Sequence, residues 1–138
     1  MSTAFRKIDF GTVATYTVAS GQAATKGKLA IFGSSDTTVQ NGVSTSDTGI
    51  GIFMATAAAD AQVDVLLFNH VMPVLVGTGG CTRGKKAIFA SANDGFTDAP
   101  AHDSSGATDN IIYGIFMQSG SAGDTVGLML APSNRGSA

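Results

Sequence analysis

The sequence is short of the residues that most often carry chemistry or covalent structure. A single cysteine, Cys81, stands in a chain of 138 residues, so no internal disulfide can form and the lone thiol reads as an inert small side chain. Tryptophan is absent and tyrosine occurs only at Tyr16 and Tyr113, which argues against a sugar-binding surface built on exposed aromatic rings. Charge is scarce: Asp, Glu, Lys and Arg make up 13% of residues, against roughly 25% in ordinary soluble domains. With a net charge of −2 there is no clustered positive field for a phosphate backbone, and no nucleic-acid partner is expected. No run approaches the ~18 apolar residues that span a bilayer, so no membrane partner is expected either. The opening MSTAFRKIDF has no apolar stretch after its basic residues and does not read as a secretory signal. The chain reads as one made in a cytoplasm.

Catalytic and ligand motifs are equally thin. The stretch Gly79-Gly-Cys-Thr-Arg-Gly84-Lys85-Lys86 has the glycine spacing and the lysine of a phosphate-cradling loop. Lys86, however, stands where a Ser or Thr should hold magnesium, and AIFAS followed by Asn93-Asp-Gly95 reads as a strand entering a turn, where that motif needs a helix. His70 and His102 lack a second His or Cys at ligand spacing, so no metal site is expected. Asp98, Asp103 and Asp109 lack the positional pattern of a calcium loop, and no G-x-S-x-G elbow is present. The expectation is a protein that is not an enzyme, with no cofactor.

What the chain does have is repetition. TKGKLAIF, Thr25 to Phe32, returns as TRGKKAIF, Thr82 to Phe89, with Gly27 and Gly84 separated by 57 residues. GIFM at Gly51 to Met54 returns at Gly114 to Met117, now 63 residues on, so the second copy carries six more residues in the polar connection between the two matches. Insertions disturb least in such connections. A duplicated structural unit covering residues 15 to 131 follows.

The duplication settles local ambiguities. MATAAADAQ is Ala-rich and helix-favouring, yet its counterpart MQSGSAGDT carries Gly120 and Gly123, so both read as connections between strands. Val63, Val65 and Leu67, matched by Val126, Leu128 and Leu130, alternate as a core face. The opposite face carries Leu66 and Met129 and is less polar than a solvent face should be. The Phe-Met pair of GIFM, and Ala-Ile-Phe after each Gly-Lys turn, read as core packing. Each unit is expected to hold four short strands: residues 15–19, 28–32, 50–54 and 63–68, then 74–76, 85–90, 111–117 and 125–130.

The fold class expected is all-β: two tandem, sequence-related small β-barrel or sandwich units packed into one compact domain, with an extended N-terminal arm. The boundaries read as an arm over 1–14, one repeat over 15–69, a second over 70–131 and a flexible tail over 132–138. Pro73 marks an edge or strand entrance at the junction. Apolar residues outside the cores, namely Phe5, Ile8 and Phe10 of the arm with Leu66 and Met129, are the candidate interface residues. An arm of this kind could add to the edge of a neighbour's sheet.

The order of a Gly-Lys turn before a strand (KGKLAIF, RGKKAIF), a glycine-led apolar strand (GIFM), a turn ending in Asp and an alternating strand (QVDVLLF, TVGLML) resembles the capsid cement, or head decoration, proteins of tailed bacteriophages. The pattern covers Thr25 to Leu130 and occurs in both halves, and the first copy has Ala59-Asp60 where Gly-Asp is usual. The resemblance implies a β-rich protein on the exterior of the virion capsid, partnered by the major capsid protein and by itself as a homotrimer, clamping neighbouring capsid subunits. Rival readings are a carbohydrate- or receptor-binding β module of a fibre or adhesin, and another minor head or tail subunit.

Overall fold

The computed structural model describes residues 12–44, 47–68, 71–90, 95–100 and 110–135. They form ten strands: β1 (Val13–Val18), β2 (Leu29–Phe32), β3 (Thr38–Asn41), β4 (Gly51–Phe53), β5 (Gln62–Leu67), β6 (Val71–Leu75), β7 (Lys86–Ala90), β8 (Gly95–Asp98), β9 (Asn110–Phe116) and β10 (Thr125–Arg135). The first five close into a barrel in the order β1-β3-β2-β4-β5, and the second five form a sheet in the order β6-β10-β9-β7-β8. A lone parallel bridge, Val76 to Phe96, joins the ends of the second sheet where the first barrel has its Val18–Val39 parallel pairing. The all-β, two-unit architecture is the one expected. The N-terminal arm through residue 11 and the last three residues lie outside the described residues, and β10 continues past residue 131 to Arg135.

Among the described residues each unit holds five strands, one more than the sequence pattern implies. The added ones, β3 and β8, sit at the start of the polar connections. β3 is the short stretch TVQN, whose inward positions are Val39 and Asn41, so one of two core-facing residues is polar and the alternation is too weak to register. Asn41 is buried because it serves the neighbouring corner: its Oδ1 accepts the Thr25 N–H at 2.9 Å and its amide donates to Thr25 Oγ1 at 3.0 Å. Residues 54–61 form no helix. Ala57 instead exchanges both backbone hydrogen bonds with Ala24, which ties the turn across the barrel and overrides alanine's propensity.

The repeat extends to individual hydrogen bonds. Gly27 N–H donates to the Phe53 carbonyl at 2.9 Å and Gly84 N–H to that of Phe116 at 2.8 Å. Lys26 N–H reaches Thr56 Oγ1 and Arg83 N–H reaches Ser119 Oγ. Thr82 N–H donates to Asp98 Oδ1 at 2.9 Å, the counterpart of the Thr25–Asn41 bond. Asp60, at φ 65°, occupies the left-handed position that Gly123 holds at φ 92°. It is therefore the equivalent of that glycine, and the Ser20 hydroxyl donates to its carboxylate at 2.6 Å.

The cores differ between units. Val18, Ala24, Ala30, Val39, Phe53, Val63 and Val65 fill the first barrel. The second core extends beyond its own strands and takes in Leu29, Ile52 and Leu66 from the first. These three lie side by side across β2, β4 and β5, paired Leu29 to Ile52 and Ile52 to Leu66. Their row packs into the same cluster as Met72, Val74, Phe89, Phe96 and Tyr113, so the halves share a core, which suits units of about 60 residues that are marginal alone. Pro73 lies inside β6, exposed, on a strand whose other side is the sheet edge except at Val76, where proline is tolerated.

Two hydrogen bonds to main-chain carbonyls fix the junction. The Leu75 N–H donates to the Gly27 carbonyl at 2.9 Å, and the Tyr113 hydroxyl donates to the Asp47 carbonyl at 2.8 Å. Tyr113 stacks edge-on against Phe96 at 5.8 Å and tilts against Phe68 at 5.6 Å. Burial pushes its phenol up to about 12.

Gly27 and Gly84 share φ 84°, but a Cβ on Gly27 would lie 2.8 Å from the Leu75 nitrogen, whereas a Cβ on Gly84 would meet nothing within 4 Å. Gly84→Ala should therefore cost only the left-handed strain, about 1–2 kcal/mol. Gly27→Ala should cost roughly 1–3 kcal/mol more, because backbone must move; urea unfolding of the two variants gives the difference. The raised Tyr113 pKa sets an alkaline limit. Below pH 10 folded and unfolded chains both hold the proton; between about 10 and 12 only the unfolded chain loses it, so stability falls. The loss should reach about 2–3 kcal/mol by pH 12 and disappear in Tyr113→Phe. Burial also raises the Cys81 thiol, with the same sign, so the comparison is made in a Cys81→Ala background, the residue that Ala24 supplies in the first unit.

Candidate interaction surface

The nucleotide-loop look-alike resolves into two corners and a strand. Gly79 and Gly80 turn the chain with positive φ, Cys81 bridges to Gly120, and Lys86 begins β7. No helix follows, so no row of free helical N–H groups faces an anion. Cys81 is buried, and its thiol donates to the Gln118 carbonyl at 3.5 Å. Asp98 is engaged with Thr82. His70, His102, Asp103 and Asp109 lie outside the described residues, and among those described no three His, Cys, Asp or Glu side chains gather as a metal cluster would.

A cleft of about 310 Å³ lies at the seam between the units, floored by Ile52, Phe53 and Leu66 and bordered by Lys26, Pro73 and Thr125. It is apolar with two polar groups at its rim. No pair of titratable groups converges there that could move a proton on a bound molecule, and it reads as the open margin of the inter-unit packing.

The surface carries more. Val13, Phe32, Val43, Met54, Met117 and Met129 are large apolar side chains left exposed. Of the interface candidates, Met129 is 43% exposed, as a docking residue must be, whereas Leu66 is 2% exposed and belongs to the core shared by the two units. That corrects its reading: the other surface covering Leu66 is the second half of the same chain. Phe5, Ile8 and Phe10 lie outside the described residues. The structure does not bring Leu66 and Met129 together; they occupy equivalent positions on different units.

Other residues belong on the surface against expectation. Phe89 is buried, but Phe32, its counterpart after the same Ala-Ile, is half exposed and touches the Tyr16 ring edge-on at 5.9 Å. In both GIFM strands the Phe is core and the Met is outside, at 43% for Met54 and 49% for Met117. The alternation of a strand would have signalled this: Phe and Met are neighbours and face opposite ways.

These features define an all-β scaffold that presents corners, loops and individual exposed apolar side chains, with no catalytic constellation among the described residues. No protein-family model matches the sequence, and no curated protein matches it. Among solved structures, the chain is similar to the N base of the head fiber protein gp8.5 of bacteriophage phi29. The TM-score is 0.67 at 10% sequence identity, covering 89% of this chain and 98% of that one. The likeness establishes a shared fold over nearly the whole length of both.

If the two equivalent positions differ as the structure places them, Leu66→Ala should destabilise the chain by about 2–5 kcal/mol. Met129→Ala should stay within about 0.5 kcal/mol of the parent. Denaturant unfolding of the pair checks this.

Proposed function

We propose that this chain is a non-enzymatic structural protein of a tailed-phage virion, bound to the outside of the head, where it stabilises the shell by clamping neighbouring major capsid subunits. The observation that carries this reading is the fold shared, over 89% of this chain, with the N base of a phage head fiber. The sequence pattern of the two repeats, which resembles head decoration proteins, supports it independently.

The physics asks for no catalysis. A protein that binds the assembled shell and not its free subunits raises shell stability by mass action. Linking copies into a homo-oligomer, a trimer in this reading, multiplies occupancy through effective concentration. A surface poor in charge and carrying isolated apolar side chains suits such contacts. Phe5, Ile8 and Phe10 supply an apolar segment for the capsid or a neighbouring copy.

A second reading follows from the neighbour being the base of a fiber: the chain acts as a platform for a projecting element, and clamping is secondary. The two separate in one experiment. Purified protein mixed with expanded shells that lack it should co-sediment in saturable, stoichiometric amounts and raise the temperature at which the shells open. Removing residues 1–10 should lower occupancy. Binding without any gain in heat resistance favours the platform reading, and no binding to any expanded shell overturns both.

A further inference from the structure

The intramolecular junction has two halves, and each has a counterpart on the other unit that is not buried among the described residues. The first half is the row Leu29–Ile52–Leu66 on the first unit, which is fully covered. Its counterpart on the second unit is Lys86–Ile115–Met129, paired in the same register across β7, β9 and β10. There Lys86 and Met129 are exposed, with Met129 at 43%, and Met117 stands exposed beside Gly127.

The second half is the end of the second unit that the row seals. It is formed by Met72, Val74, Phe89 and Tyr113, all buried. Equivalence of the two units maps these positions onto Ala14, Tyr16, Phe32 and Ile50. None of the four is buried, and Phe32 is 50% exposed where Phe89 is 0%. Val13, on the same strand, is 44% exposed.

We infer that the Lys86–Ile115–Met129 face of one copy receives the Tyr16–Phe32 end of a second copy of this chain, repeating between molecules the contact that joins the units within one. The substitutions suit the outer version. Lys86 replaces Leu29, and its long aliphatic stem can cover the Phe32 ring while the ammonium stays in water. Asp36, exposed in the turn that follows Phe32, supplies the opposite charge. A continuous apolar row like Leu29–Ile52–Leu66 would be a hazard on a chain that must stay soluble before it assembles.

The backbone shows where the copy of the contact stops. Leu75 N–H is available to Gly27 because β6 meets β8 at one bridge only. Its equivalent, Thr17, has its N–H committed to the Thr37 carbonyl at 3.0 Å. The contact between copies therefore rests on side chains and is the weaker, reversible one. Face and end are different surfaces, so the contact is heterologous: it builds a ring if the rotation closes and a chain if it does not.

The test uses the full chain and two substitutions at half-exposed positions, Phe32→Lys and Met129→Lys, each with circular dichroism and a melting curve to confirm folding. In analytical ultracentrifugation the parent should sediment above monomer mass at high concentration, and each variant alone should be monomeric. An equimolar mixture should give a one-to-one dimer that does not grow, since each variant keeps the half that the other lacks.

A parent that is monomeric at every concentration overturns the proposal, as do variants that still associate alone or fail to complement each other. If the parent is monomeric and Phe32→Cys, in a Cys81→Ala background, resists thiol labelling, that end is assigned to the chain's own N-terminal residues. Co-sedimentation with shells by a chain that stays monomeric overturns this inference alone and leaves the capsid reading standing.

Discussion

The structure depends on one row of side chains. Leu29, Ile52 and Leu66 stand on three neighbouring strands of the first barrel and are buried in the core of the second. Neither unit has enough interior to be robust alone at this size. The second relies on the row to seal Phe89, Phe96 and Tyr113, and the first relies on the second to keep that row from water. Gly27 and the Leu75 N–H fix how closely the units approach, because a side chain at position 27 would occupy space that Leu75 holds.

Around that junction the two units are the same object with different surfaces. Their corners use the same bonds in the same order, down to Asn41 and Asp98 accepting equivalent N–H groups. The differences concentrate where one unit touches the other or faces outward: Leu29 against Lys86, Leu66 against Met129, Phe32 against Phe89. Duplication supplied a scaffold, and burial then assigned each equivalent position to core or to surface.

Much of this was legible in the sequence. The paired TKGKLAIF and TRGKKAIF, the recurring GIFM and the shift from 57 to 63 residues determined the all-β class, the two units and the place of the six added residues, because local patterns of turn and alternation repeat only when the local structure does. The alternation through Val63 and Val65, and through Val126 and Leu128, identified core faces that are buried. The pattern did not reveal β3 and β8, whose few inward positions include a polar Asn41 satisfied by a distant turn. Nor did it separate Leu66 from Met129 or Phe32 from Phe89. Those pairs are equivalent in sequence and in strand position, and which member is covered depends on what packs over it. The sequence by itself determined the repeated all-β unit; only the tertiary structure decided which copy of each residue is core and which is surface, because burial belongs to the contact between the two units and no local pattern encodes it.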